Sequence, residues 1–279
     1  MIRPLISLLT DFGLRDPSAA IMRGVILGIA PDVELLDISH EVRKFRIRDG
    51  ALLLWCALPY LPIGVHVAVV DPGVGTARRP VAIRTGRGDV LVGPDNGLLL
   101  MAADRMGGIT AAVELTEAAY RLPMVSTSFH GRDVFAPAAA HLARGVALER
   151  FGPPVDPVGL VRLPIPQPVP ADGELRAHVL YVDTFGNVKL TAFADDLVQA
   201  LGALSTGNRL TIEVRRGESG ARARPVELAW RETFGEAAVG EPLLYEDSYG
   251  RLCLAVNQGD AAAQLELTED LPVVIRCTG

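Results

Sequence analysis

Apolar residues in the first half of the chain occur as short runs that alternate with segments of helical spacing. The short runs over residues 5–10, 33–38, 65–70, 81–83, 90–92 and 112–115 predict strands. Residues 17–29, 47–58, 98–106 and 134–144 carry the spacing typical of helices. Strands that alternate with helices predict an α/β domain built on a mostly parallel sheet.

The pattern changes in the middle of the chain, where prolines become dense. Seven prolines lie between residues 153 and 170, which disfavours a helix and predicts a semi-rigid connector. Short β-rich runs follow over residues 175–182, 187–191, 209–214, 225–229, 242–245, 252–256 and 273–277. We therefore predict an α/β domain over residues 1–160, a small and mostly β domain or barrel over residues 174–279, and a proline-rich linker between them.

Composition narrows the class of protein. The 279 residues are 49% hydrophobic, and a net charge of −6 without a long basic run argues against nucleic acid as the main partner. The three cysteines show no metal-ligand spacing, and their odd number suits a reducing compartment. The N-terminus lacks the layout of a signal peptide, and no apolar stretch is long enough to span a membrane. We expect a cytoplasmic protein that does not bind membranes.

A loop after the predicted strand 65–70 is the first candidate for chemistry. Asp71 ends the strand, and Arg78 brings a guanidinium back seven residues later. Ligands bind at the ends of strands in α/β sheets, which favours a site at this loop. A turn capped by Asp71, with Arg78 in solvent, explains the same residues equally well.

Two other polar positions in this half have a similar setting. Asp11 directly follows the first predicted strand and is placed to accept two hydroxyls of a ribose, while we expect Asp16 to cap the next helix. His130 lies in a polar loop before a predicted helix, among a small residue, a guanidinium and a carboxylate. Asp133 of the same loop is alternatively a helix cap. The other histidines are predicted to be structural.

The β-rich half contributes weaker candidates, all of them in predicted turns. They are Asp183, Asn187, Phe234, Ser248 and Gln258. Each turn taken alone is explained by its local backbone requirements.

Together these segments resemble one family, the S-adenosyl-L-methionine (SAM) hydroxide adenosyltransferases or SAM hydrolases, which are related to the bacterial fluorinases and chlorinases. The resemblance runs almost end to end and is most specific in three motifs: Asp71-Pro72-Gly73-Val74-Gly75, Pro94-Asp95-Asn96-Gly97 and Phe129-His130-Gly131-Arg132-Asp133. It implies an α/β domain followed by a β-barrel, and a homotrimer with its sites at subunit interfaces. It also implies SAM as the substrate, without cofactor or metal.

The resemblance implies roles for individual residues as well. The family's Asp-Arg-His triad falls on Asp71, Arg78 and His130, and because the halide-using relatives do not keep it, the triad points to water as the nucleophile. Phe45 stands where the fluorinase has a tryptophan. The implied substrate-binding residues are Asp11 at the ribose, Phe45 in the wall of the site, Phe129 and Gly131, Asp183 and Ser248 at the methionine end, Asn187 and Phe234 at the adenine, and Gln258 through a backbone contact.

The implied reaction is in-line attack of water or hydroxide on the 5′ carbon of SAM, which yields adenosine and L-methionine. The sulfonium leaves as a neutral thioether, so the leaving group needs no general acid. Arg78 supplies positive charge, Asp71 accepts a hydrogen bond from the water, and His130 accepts or relays the proton. Two alternatives remain: a metal-dependent nucleotide phosphoesterase that uses Asp11, Asp71, His130 and Asp133, and a non-catalytic sensor of SAM or adenosine.

Overall fold

The computed structural model of the protein describes residues 3–216, 221–222 and 225–278. It divides into two compact units, Met1–Leu163 and Pro164–Gly279, each with hydrophobic core clusters of its own. The boundary lies inside the proline-rich stretch. Within the described residues, none of the helices combines the length and apolar character needed to cross a bilayer.

One six-stranded sheet organises the first unit. Its strands are β1 (Leu5–Thr10), β2 (Glu34–Ser39), β3 (Val65–Val69), β4 (Pro80–Thr85), β5 (Val90–Pro94) and β6 (Ile109–Glu114). The spatial order is β2-β1-β3-β5-β4-β6. The first three pairings are parallel, and β4 runs antiparallel to both of its neighbours. The predicted α/β domain with a mostly parallel sheet is confirmed.

Helices cover both faces of this sheet. They are α1 (Ser18–Ile29), α2 (Ile47–Ala57), α3 (Leu100–Arg105) and α4 (Ala136–Ala143). Alternate strand residues point to opposite faces, so Val67 packs with α1 and α4, whereas Ala68 packs with α2 and α3. Helix α1 has Pro17 at its N-cap position and no side-chain capping bond, so the predicted cap role of Asp16 is wrong.

A buried polar network joins β1, β3 and the residue directly before β5 inside the first unit. His66 Nδ1 lies 2.7 Å from Ser7 Oγ, and His66 Nε2 lies 3.1 Å from Asp89 Oδ1. All three residues are fully buried. Asp89 also accepts two hydrogen bonds from Arg87. The hydrogen bonds from His66 and Arg87 lower the pKa of Asp89 despite its burial, so this carboxylate is a charged structural group.

The second unit is a closed β-barrel. Its strands are β7 (Val169–Ala171), β8 (Glu174–Val182), β9 (Val188–Phe193), β10 (Arg209–Arg216), β11 (Ala221–Arg222), β12 (Val226–Trp230), β13 (Pro242–Glu246), β14 (Arg251–Val256) and β15 (Pro272–Cys277). The pairing runs β10-β12-β13-β14-β9-β8-β15, and β15 pairs again with β10 to close the ring. Closure leaves the ring without an open edge. The barrel implied by the resemblance is confirmed.

Two short helices, α5 (Ala194–Leu201) and α6 (Ala261–Gln264), accompany the barrel. The strand patterns did not predict α5. Its signal is the buried pair Leu197 and Ala200, three residues apart, together with Asp196, which accepts a hydrogen bond from the amide of Phe193 at 2.8 Å. Strand β7 pairs with β8, so part of the proline-rich stretch belongs to the barrel.

Candidate active site

Parallel strands place two predicted site carboxylates at the same edge of the sheet. Strands β1 and β3 are adjacent and parallel, Asp11 directly follows β1, and Asp71 follows β3 after Val70. This is the edge at which α/β folds bind ligands. The loop that starts at Asp71 runs to Pro80, where β4 begins.

The loop over residues 71–78 lies directly against the loop that carries His130. Gly75 has φ of +77°, and a Cβ atom added there would lie 2.3 Å from the carbonyl oxygen of Thr127. A residue with a side chain would therefore meet both a left-handed backbone conformation and a backbone clash. The glycine permits the backbone approach of the two loops.

The structure brings Asp71, Arg78 and His130 together. Arg78 donates from Nε to Asp71 Oδ1 at 3.1 Å and from Nη2 to Asp71 Oδ2. Nη2 also lies 3.0 Å from His130 Nδ1. The side chains of Arg78 and Asp71 are only 7% and 5% exposed. The guanidinium lies over the buried ring of Phe135, with Cζ 5.3 Å from its centroid.

The contact with Arg78 decides the tautomer of His130. A guanidinium has only donors, so Nδ1 of His130 must accept, and the neutral imidazole carries its proton on Nε2. Burial and the charge of Arg78 lower the pKa of His130, against the opposing effect of Asp71. His130 is therefore a neutral hydrogen-bond donor through Nε2 at neutral pH.

A second buried carboxylate supports the loop of His130. Asp133 Oδ2 accepts from the amide of Ser126 at 2.8 Å and from its hydroxyl at 2.7 Å, and Arg132 donates to Oδ1 at 2.6 Å. The chain after His130 makes a π-helical turn, Gly131–Phe135, before α4 begins. Such turns are frequent at functional sites. Asp133 thus stabilises the loop that carries His130.

Asp71 and His130 line a cavity of about 290 Å³ in the first unit, together with the predicted residues Asp11, Phe45, Phe129 and Gly131. Asp11 Oδ2 accepts from the amide of Phe45 at 2.9 Å, and Phe45 has φ of +66° and a 70% exposed side chain. Asp11 therefore holds an aromatic residue in a strained backbone conformation at the cavity.

The five residues predicted in the β-rich half line one cavity of about 930 Å³ in the barrel: Asp183, Asn187, Phe234, Ser248 and Gln258. Asp183 Oδ1 accepts from the amides of Phe185 and Asn187, each at 2.9 Å, and Oδ2 accepts from Asn187 Nδ2 at 2.9 Å. These bonds confirm the turn interpretation of Asp183, and its role in a site stays a prediction. The predicted site residues fall into two sets, one in each unit.

Comparison with known proteins identifies the chain. The profile of the SAM hydroxide adenosyltransferase N-terminal domain matches residues 6–152, and that of the C-terminal domain matches residues 177–274. This chain belongs to the SAM hydroxide adenosyltransferase family. The resemblance inferred from the motifs is confirmed.

Three relatives show how far the similarity of this family member extends. An (R)-S-adenosyl-L-methionine hydrolase from Salinispora tropica is 45% identical over 265 residues, which cover 95% of each chain. A fluorinase from Actinopolyspora mzabensis is 28% identical over 297 residues, covering 97% of this chain and 96% of the fluorinase. The crystal structure of an uncharacterized conserved protein from Thermotoga maritima has 34% identity and a TM-score of 0.87, covering 98% of this chain and 100% of that one.

The barrel cavity of this family member contains charged residues that the sequence analysis did not select. Lys189 Nζ donates to Asp247 Oδ2 and lies 5.2 Å from the ring centroid of Tyr249. Asp247 Oδ1 accepts the amides of Tyr249 and Arg251, at 2.8 and 3.0 Å, which shapes the turn that contains Ser248. Side chains alternate between the two faces of a strand, so Lys189, two residues after Asn187, is expected on the same face as Asn187.

The phosphoesterase alternative requires a metal site formed by Asp11, Asp71, His130 and Asp133. In the part of the chain that the structure describes, no group of three or more His, Cys, Asp or Glu side chains is arranged to hold a metal ion. Asp133 is committed to Ser126 and Arg132.

Proposed function

We propose that this protein hydrolyses SAM to adenosine and L-methionine. The observation that carries the proposal is the bridge of Arg78 between a carboxylate and a neutral imidazole, both of which line one cavity. Membership of the adenosyltransferase family and the 45% identity to a protein named (R)-S-adenosyl-L-methionine hydrolase support it. We therefore propose the R epimer at sulfur as the substrate.

In the proposed step, a water molecule attacks the 5′ carbon opposite the sulfur. The new C–O bond forms as the C–S bond breaks, and the electron pair of the C–S bond stays on sulfur. The products are adenosine, with solvent oxygen in its 5′ hydroxyl, and methionine as a neutral thioether. One water proton passes to Asp71 and then to solvent, so the positive charge of the sulfonium leaves as that proton.

The tautomer of His130 assigns different roles in the reaction to His130 and Asp71. Nδ1 of His130 accepts from Arg78 and Nε2 already carries a proton, so neutral His130 donates a hydrogen bond to the water and orients it. Asp71 is the remaining acceptor. A carboxylate has about four acceptor positions, and Arg78 occupies two of them. Arg78 acts through these neighbours and is a positioning residue.

The remaining residues are proposed to bind the substrate. Asp11 accepts the ribose hydroxyls through its free acceptor positions, and Phe45, Phe129 and Gly131 form the wall of that subsite. In the barrel, Asp183 and Ser248 bind the methionine end, Asn187 and Phe234 bind the adenine, and Gln258 contributes a backbone contact. No cofactor takes part in the proposed reaction.

We further propose a cytoplasmic homotrimer with its sites at subunit interfaces. Each unit carries one set of the predicted residues in a cavity of its own, and a site that draws on two subunits would combine the two sets. Co-expression tests it: Asp71→Asn and Ser248→Ala subunits are each expected to be inactive alone. Mixed oligomers regain activity if one site draws on two subunits. Mixed oligomers without activity, or an active monomer in light scattering, would contradict the shared site.

Turnover in heavy-oxygen water tests the function itself. The protein is incubated with each sulfur epimer of SAM, with and without a chelator, and the products are weighed by mass spectrometry. We expect label in adenosine alone, from the R epimer, whether or not chelator is present. Loss of activity with chelator and release of phosphate from nucleotides would favour a phosphoesterase. Binding of SAM without any product would favour a sensor.

A further inference from the structure

The Pro94-Asp95-Asn96-Gly97 motif lies where the topology brings both ends of the triad loop together. Strand β5 lies between β3 and β4, parallel to β3 and antiparallel to β4. The loop over residues 71–79 leaves the end of β3 and enters the start of β4, where Pro80 pairs with Pro94. The turn that follows β5 therefore lies beside both ends of this loop.

Asn96 holds the first end. Its Nδ2 donates to the carbonyl of Val70 at 2.9 Å, and Val70 is the residue directly before Asp71. Its Oδ1 accepts from the amide of Leu98 at 3.2 Å, which fixes the orientation of the side-chain amide. The backbone directly before Asp71 is thus held by a hydrogen bond from the half-buried side chain of Asn96.

Asp95 holds the second end. Arg79, directly after Arg78, donates from Nε at 2.9 Å and from Nη2 at 2.5 Å to Asp95 Oδ2. The amide of Asp95 donates to the carbonyl of Arg79 at 2.9 Å. Asp95 Oδ1 accepts from the amide of Val161 at 2.8 Å, and Arg79 also donates to the carbonyl of Gly159 at 2.6 Å. Charge-assisted hydrogen bonds such as those from Arg79 to Asp95 are stronger than hydrogen bonds between neutral groups.

We infer that Asp95 and Asn96 are positioning residues that clamp both ends of the loop carrying Asp71 and Arg78. The inference rests on the proposed function. Inside the loop, Thr76 Oγ1 donates to the carbonyl of Gly73 at 2.7 Å, and the amide of Val74 lies 3.2 Å from the carbonyl of Asp71. The end clamps fix the backbone directly before Asp71 and directly after Arg78, and so place both side chains relative to His130.

Activity of two variants tests the clamp. Asn96→Ala removes the bond to Val70, and Asp95→Asn weakens the pair with Arg79. A misplacement of about 1 Å in an active site costs roughly 10²-fold in rate, so we expect kcat to fall by about 10- to 100-fold with KM within about twofold. Asp104→Asn is the control for the loss of an Asp–Arg pair as such, because Asp104 pairs with Arg162 at 2.7 Å on the exposed surface of the first unit, away from the triad loop. The control is expected to keep its kcat.

Titration of His130 by NMR gives a readout that a merely structural role would not move. Burial has the largest effect and lowers the pKa of His130; the charges of Arg78 and Arg121 lower it further, and those of Asp71 and Asp133 raise it. Arg78 lies closest, so when the clamp is cut and Arg78 moves away, the pKa of His130 rises toward its ordinary value. We expect this rise in both clamp variants and no change in Asp104→Asn.

The outcomes separate the clamp from the proposed function. Loss of kcat together with the shifted His130 titration, in variants that keep the wild-type circular dichroism, supports the clamp. Folded Asn96→Ala protein with unchanged kcat and unchanged His130 titration overturns it. Wild-type protein without SAM turnover overturns the proposed function, and the His130 titration then still decides whether the clamp sets the triad. If Asp95→Asn fails to fold, the Asn96→Ala variant decides.

Discussion

A single methyl group added at Gly75 is expected to disturb the geometry of Asp71, Arg78 and His130. The variant Gly75→Ala adds one methyl group where the loop of Asp71 and Arg78 meets the loop of His130. Its Cβ would lie 2.3 Å from the carbonyl oxygen of Thr127, whereas real Cβ atoms essentially never approach a neighbour within 3.0 Å. That oxygen belongs to the backbone, so no side-chain rotation relieves the contact.

The size of the effect follows from two terms. Alanine at φ of +77° costs about 1–2 kcal/mol of stability. The clash separates the loops by most of an ångström, which takes the 3.0 Å contact between Arg78 Nη2 and His130 Nδ1 beyond hydrogen-bond range. Displacements of about 1 Å cost roughly 10²-fold, or about 2.7 kcal/mol in activation free energy.

Steady-state kinetics with SAM measure this prediction. We expect kcat of Gly75→Ala to fall by about 10²-fold and KM to change less, because Asp11 and the proposed substrate-binding residues of the barrel lie outside the two loops. Gly73→Ala is the matched control in the same loop. Its Cβ would meet Thr76 Oγ1 at 3.5 Å and Arg78 Cβ at 3.7 Å, which are ordinary contacts.

Two results would refute the reasoning. Folded Gly75→Ala protein with wild-type kcat would show that the approach of the loops does not set the triad. An equal loss of kcat in Gly73→Ala would show that the loop tolerates no methyl group anywhere, and that the approach to Thr127 is not the cause.

The remaining predictions concern pH, substrate binding and stability. Protonation puts a hydrogen on Nδ1 of His130 and breaks the hydrogen bond from Arg78. Activity therefore falls as the pH drops through the pKa of His130, which lies below its ordinary 6.5. In a pH–rate profile, His130→Asn is expected to lose this fall of activity at acidic pH. Asp11→Ala is expected to raise KM by the equivalent of roughly 1.5–3 kcal/mol per ribose bond lost, with kcat less affected, whereas the control Asp16→Ala leaves KM unchanged. Asp89→Asn removes the charge from a buried pair with histidine and should cost about 3–5 kcal/mol in the free energy of unfolding, measured with urea, without changing kcat of the folded enzyme. Because the pKa of Asp89 is lowered on folding, its stabilisation is complete above its unfolded value of 3.8 and is lost as pH falls further.

Asp11 takes part both in the proposed ribose subsite and in the backbone conformation of Phe45. One of its oxygens accepts the amide of Phe45, and Phe45 has a positive φ that a bulky residue rarely adopts. The Asp11→Ala variant therefore loses the acceptor that stabilises this conformation as well as the proposed ribose contact. Its effect on KM is an upper limit for the ribose bonds alone, and Phe45→Gly separates the two.

The sequence by itself determined the order of the main elements in the first unit and the place of the first carboxylates. Apolar periodicity reports which side chains are buried, and the length and period of the buried positions distinguish the strands of the sheet from its helices. It also located Asp11 and Asp71 at strand ends, because an apolar run that stops marks where a strand leaves the core. The family resemblance then required no structure, since its three motifs are each contiguous in the chain.

The tertiary structure decided every relation between residues that are distant in the chain. Arg78 and His130 are 52 residues apart, and only their contact at 3.0 Å fixes the histidine tautomer. Asn96 and Val70 are 26 residues apart, and their bond depends on β5 lying between β3 and β4. Local patterns carry no information on such pairings, because hydrogen bonds between side chains and remote backbone groups leave no periodic trace. Asp16 shows the converse: a residue type that favours a helix cap did not cap the helix, because the chain entered α1 through Pro17.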